Sequence, residues 1–173
     1  ALAYYDARGG ADADEGRFLA ATARMALGGA LVARSGLPAA LLEYERASAS
    51  LAALVRAHPD VAKYAERALA VDLQIADARG AQGDQPAALA GYQDLRSRAE
   101  RMLAADPADS LAMARVAQFR SRIAGVLEDQ GELEPALAEY QAVLELSLRR
   151  AALDPTPGAD KAARDWAKIA AKV

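Results

Sequence analysis

At 173 residues, 53% hydrophobic and 26% charged, the chain is long enough for one domain or a short repeat array, and an aromatic share of 5% leaves its core to Leu, Ala, Val and Ile. A formal net charge of -3 without a long single-sign run argues against nucleic acid as a partner, because phosphates call for a basic surface. The absence of cysteine excludes disulfides, thiol catalysis and Cys-ligated zinc, and no run of about 18 apolar residues is present to span a membrane. Residues 1–8 lack the basic region, apolar core and cleavage site of a signal peptide and read as a partial helix, the tail of something longer. A first unit, about 12–59, carries Met25, Leu27, Leu31 and Val32, a turn at Ser35-Gly36, then Leu41, Tyr44, Leu51, Leu54 and Val55. In the second, about 60–107, VAKYAERALAVDLQIADARGAQ runs to a turn at Gly83-Asp84. A second helix follows, with Pro86 near its first turn and Leu89, Tyr92, Leu95, Ala99, Met102 and Leu103 at helical spacing. The third, about 108–155, has Val116, Phe119, Ile123, Val126 and Leu127, a turn at Gly131-Glu132, then Leu137, Tyr140, Val143, Leu144, Leu148 and Ala151. Residues 160–173, with Trp166 and Ile169, read as an unpaired final helix. Nothing shows the period-2 alternation of a strand.

The three units are in register. Pro59, Pro107 and Pro155 stand 48 residues apart, and so do Tyr44, Tyr92 and Tyr140. The same spacing relates Leu41, Leu89 and Leu137, then Ala40, Ala88 and Ala136, and upstream Leu27, Ile75 and Ile123 with Gly28, Ala76 and Ala124. An Ala-rich chain makes Ala coincidences easily, but not Tyr and Pro columns at one offset. A hairpin with one apolar stripe cannot bury it alone, whereas stacked hairpins share a continuous core. The predicted fold is therefore all-α, an α-solenoid of antiparallel helical hairpins forming one domain over 1–173, with full helices about 20 residues long. The two small columns let paired helices approach. The Tyr column covers its neighbours and leaves a hydroxyl for solvent or a polar partner.

These columns resemble the tetratricopeptide repeat family. That pattern has a large residue and then Gly or Ala in the first helix, Gly at the turn, Ala early in the second helix, an aromatic four later and Pro at the end. Leu27-Gly28, Ile75-Ala76 and Ile123-Ala124 match the first pair, and Gly83 and Gly131 the turn, with Ser35 in the first unit. Ala40, Ala88 and Ala136, then Tyr44, Tyr92 and Tyr140, and finally Pro59, Pro107 and Pro155 complete it. The unit departs in length, 48 residues against the common 34. The excess is about two extra turns in each helix, which keeps the same face inward. Arg24, Asp72 and Arg120 stand where the family often has a bulky apolar residue, and Arg79 replaces the apolar residue held by Leu31 and Leu127.

The resemblance implies a concave face lined by first helices that grips a peptide or another protein. It carries Thr22, Met25 and Gly29, then Leu73, Gln74 and Asp77, then Gln118, Ser121, Arg122, Gly125 and Glu128 onto that face. The carboxylate-clamping kind does not fit, since the chain contains no Asn. Long units of this type also resemble repeat segments of bacterial signalling proteins, kinases included, which implies a regulatory or scaffolding segment of a larger protein, its compartment left open with the cytoplasm slightly favoured.

Elimination points the same way. His58 is the lone histidine, in a loop column shared with Asp106 and Asp154, and reads as a helix-end residue rather than a metal ligand or base. The serines have no neighbouring base, no Gly-rich loop follows a strand, and no cofactor is called for. A non-catalytic binding scaffold is the expectation, with a structural spacer or self-association domain as the alternative. The groove is expected around Gln74, Asp77, Gln118 and Arg122, with Arg122 offering a guanidinium fork to a carboxylate, unless it pairs with Asp77. Leu89 is expected to be buried, so that Ala there costs roughly 2–5 kcal/mol. Glu139 is expected on the solvent face, where Ala costs about 0.5 kcal/mol at most.

Overall fold

The computed structural model describes the backbone of residues 2–34 and 36–153, and side chains from residue 13 onward. They form six helices in sequence: α1 (Leu2–Ala33), α2 (Leu37–Ala57), α3 (Ala62–Ala81), α4 (Gln85–Ala105), α5 (Ser110–Asp129) and α6 (Leu133–Leu153). Among the described residues there is no strand, and the fold is an all-α succession of helical hairpins of the solenoid kind. The chain divides into two compact units, Ala1–Ala88 and Leu89–Val173, and the division falls inside α4.

Local chemistry sets the helix ends. Pro38 sits in the first turn of α2, where its missing N–H costs nothing. Asp109 caps α5 by accepting from the backbone N–H of Leu111 at 2.8 Å and of Ala112 at 2.9 Å. Gly83 and Gly131 have φ of +87° and +79°, the left-handed conformation that L side chains avoid. Across them the Asp84 N–H donates to the Arg79 carbonyl at 3.0 Å, and Glu132 to Leu127 at 2.9 Å. The first turn has the same bond, Gly36 to Leu31 at 2.8 Å, although its Ser35 lies outside the described residues. The turns thus fall where the sequence places them. Pro59 and Pro107 lie just past the ends of α2 and α4, since the residue before a proline is driven out of the helical region. Pro155 and the final helix expected at 160–173 lie outside the described residues.

The columns pack as their sizes require. Ala40, Ala88 and Ala136 are fully buried, and Tyr44, Tyr92 and Tyr140 nearly so. In the first unit the Tyr44 ring lies on Gly28, so that a Cβ there would stand 2.3 Å from the ring. Leu51 and Leu54 of α2 share one core with Ala68, Val71 and Ala78 of α3. In the second unit Leu95, Met113, Phe119 and Val143 are fully enclosed.

Some expectations need correction. Residues 1–8 are no separate stub but the opening of a 32-residue α1. Gly9 and Gly10 weaken that helix by about 1 kcal/mol each, and without a proline nothing breaks it. Leu27, Val32 and Leu148, placed on apolar stripes, are exposed. Leu89, Leu41 and Leu137 are only half-buried. In a chain this rich in Ala and Leu, apolar residues occupy more than one helix face, and periodicity alone does not say which face is covered.

Candidate functional site

The first helices of the hairpins supply the candidate surface. In the first unit, α3 carries Gln74 and Asp77, both half-buried. The Gln74 Oε1 is buried without a hydrogen-bond partner, an arrangement native proteins seldom tolerate without a reason. The Tyr44 hydroxyl lies in the field of Asp77, and burial first, then that negative charge, raises its pKa. Met25, carried onto this face by the family resemblance, belongs instead to the core. Thr22 turns its hydroxyl back to the Phe18 carbonyl at 3.0 Å.

In the second unit, α5 presents Gln118 and Arg122 one turn apart, both exposed. Ser121 and Gly125 beside them are half-buried. The Tyr140 hydroxyl donates to Glu128 Oε2 at 2.8 Å. The groove expected between second and third repeats, and the alternative Asp77–Arg122 pairing, would each draw on both units. Gln74 and Asp77 belong to the first unit, and Gln118 and Arg122 to the second.

Burial, the hydrogen bond to Glu128 and the charges of Glu128 and Asp129 push the Tyr140 pKa up to about 12. An unfolded tyrosine ionises near pH 10, so the unfolded chain loses this proton first. The stability linked to Tyr140 is whole below about pH 10 and is lost as pH rises towards 12. Phenolate absorbance followed together with circular dichroism checks this. Tyr140→Phe is expected to remove one late-ionising group, and ionisation of Tyr140 below pH 10 in the folded chain would contradict it.

Sequence reading missed a set of polar contacts between helices. Arg24 Nη1 donates to Glu43 at 2.8 Å, and Arg46 donates to the other oxygen of the same carboxylate at 2.8 Å. The Arg24 hydrogen bond is the main reason the Glu43 pKa is lowered. In the second unit Glu139 receives Arg96 and Arg120, each at 2.7 Å, and Arg120 also reaches Glu100 at 2.6 Å. Glu139 is thus no solvent-face residue: two guanidinium groups converge on it. The signal was present in the repeat. Arg24 with Glu43 and Arg120 with Glu139 are the same pair of columns, 19 residues apart in both copies. The second copy breaks the pattern with Asp72 and Gly91, and there Asp72 accepts from the Ser48 hydroxyl at 2.7 Å.

A further cluster joins α1 to α3. His58, which caps the end of α2, pairs with Asp14 at 2.7 Å, and Lys63 pairs with Glu15 at 2.5 Å. The Glu15 hydrogen bond raises the Lys63 pKa. The Phe18 and Tyr64 rings meet at 5.4 Å, with Lys63 over both. Glu15 and Lys63 stand one repeat apart, so equivalent points of successive first helices adjoin. Among the described residues no group of three or more His, Cys, Asp or Glu could hold a metal ion, and no helix is long and apolar enough to cross a membrane. No protein-family model matches the chain, and no curated protein resembles it in sequence.

Proposed function

We propose that this chain is a non-catalytic scaffold of tetratricopeptide-like repeats that binds a protein or peptide through its first helices. The observation that carries the reading is the exposed pair Gln118 and Arg122 on α5, while the repeat columns beside it are buried in packing. An amide and a guanidinium one helical turn apart suit a peptide backbone with a nearby carboxylate. On α3, Gln74 and Asp77 offer the first unit an acceptor and a charge of opposite sign. A random peptide library displayed on phage and panned against the chain tests this. Selected peptides are expected to carry Asp or Glu, and to bind Arg122→Ala about ten-fold more weakly with an unchanged melting curve. Selection of no peptide, or equal binding by Arg122→Ala and Gln118→Ala, sinks the reading.

The spacer or self-association reading draws support from one observation, the exposed leucines Leu133, Leu148 and Leu153 on α6. Sedimentation over a concentration series tests it. A single monomeric species excludes self-association.

A further inference from the structure

Ser110 opens α5, and the end of α6 returns to it with two arginines. Arg150 Nε donates to the Ser110 Oγ at 3.1 Å, and Arg149 donates to the Pro107 carbonyl, in the turn before α5, at 2.6 Å. Both guanidinium groups thus rest on neutral oxygens, and among the described residues neither has a carboxylate partner. A guanidinium holds an anion about twice as strongly as it holds a neutral acceptor. Among the described serines only Ser110 meets a guanidinium. Ser48 donates to Asp72, Ser50 and Ser97 turn back to carbonyls of their own helices, and Ser147 is buried.

The repeat shows that this column accepts a negative charge. Ser110 stands two units on from Asp14, with Ala62 between them. The Asp14 carboxylate is held by His58 Nε2 at 2.7 Å and by Arg17 at 3.1 Å. In the first unit an anion at this point of a first helix therefore meets basic side chains. In the second unit the basic side chains are present and a hydroxyl stands in the anion's place. An enzyme can reach that hydroxyl. Residues 104–108 are exposed, and Ser110 is half-buried in the first turn of its helix, where helices open most readily.

We propose that Ser110 is a phosphorylation site whose phosphate is held by Arg149 and Arg150. In the step itself the Ser110 Oγ attacks the terminal phosphorus of a nucleoside triphosphate bound to a protein kinase. The bond from that phosphorus to the bridging oxygen breaks, its electron pair leaves with the nucleoside diphosphate, and the hydroxyl proton passes to the kinase. The product carries a charge of about -1.5 to -2 and three acceptor oxygens. Arg150 then exchanges a neutral bond for a charge-assisted one, and Arg149 gains an anion beside the carbonyl it holds. The Asp109 carboxylate, which caps α5, opposes the new charge. Two guanidinium groups against one carboxylate decide the sign, and the phosphate fastens the end of α6 to the start of α5. That end of α6 also carries the exposed Leu148 and Leu153. The switch does not depend on binding through Gln74, Asp77, Gln118 and Arg122, and either can fail alone.

Two measurements test this. The whole chain made with phosphoserine encoded at position 110 is expected to melt about 2–4 °C above the unmodified chain. In the variant carrying both Arg149→Gln and Arg150→Gln, compared with its own unmodified form, most of that rise is expected to disappear. An unchanged or lowered melting temperature, or a rise of the same size in the double variant, overturns the arginine clamp. Trypsin cuts after Arg101 and Arg115, and Ser110 is the one hydroxyl-bearing residue between them. Mass spectrometry of that fragment, from chain purified out of the cells that make it, is expected to show a species heavier by one phosphate. Its absence in every growth condition sampled overturns the site.

Discussion

Replacing Phe119 by Ala is expected to destabilise the fold by about 3–5 kcal/mol, the largest effect of any single truncation on α5. Phe119 is 2% exposed in the second unit, so removing its ring leaves a cavity that the surrounding helices fill only in part. Leu89→Ala, by contrast, is expected to cost about 1–2 kcal/mol, because a half-buried leucine gives up less apolar area and solvent reaches part of the space it leaves. Urea denaturation of both variants, followed by circular dichroism, gives the comparison. Equal midpoints for Phe119→Ala and Leu89→Ala would show that burial in this column is not what holds the second unit together.

The difference between these two residues marks how far the sequence can be read. The turns were legible because Gly83 and Gly131 supply a backbone conformation that other residues resist, and those positions do occupy the left-handed region. Packing of the small and tyrosine columns was legible because size is decisive at a close approach: nothing larger than glycine fits at position 28 beneath the Tyr44 ring without movement. Helix facing was less so. Leu27 matches Ile75 and Ile123 in the repeat, yet it is exposed while Ile123 is buried and Ile75 packs against the core shared with α2, because among the described residues no helix covers this column of α1. At the candidate site, residue type and spacing placed Gln118 and Arg122 on one helix face one turn apart. Met25 was misassigned there because the family pattern specifies a face, whereas in this chain the Met25 side chain lies in the core of the first unit.

Glu139 is where the reading from apolar periodicity departs furthest from the structure, and the correction reverses the expected mutational result. Glu139→Ala is expected to cost about 1–3 kcal/mol, since it removes the shared acceptor of two part-buried guanidinium groups. Arg96 and Arg120 are left with like charges facing one vacated position, and Arg120 keeps only Glu100. The side chains of this cluster retain some solvent contact, 16% for Glu139 and about a quarter for each arginine, which holds the cost below that of a fully enclosed ion pair. Glu139→Gln is expected to cost less, because an amide oxygen still accepts one of the two bonds. A double-mutant cycle with Arg120→Ala separates contact from context, with an expected coupling of about 0.5–3 kcal/mol that shrinks as salt is raised. The Arg24–Glu43 pair gives an internal comparison, with the same columns and a contact of 2.8 Å against 2.7 Å, but on a helix whose arginine is more exposed. Its coupling is expected to be the smaller of the two and the more sensitive to salt. If Glu139→Ala proves neutral in urea denaturation and its cycle with Arg120→Ala is additive, then Arg120 stands in its bulky-residue column for the packing of its aliphatic stem alone, and the carboxylate contributes nothing to joining α5 and α6.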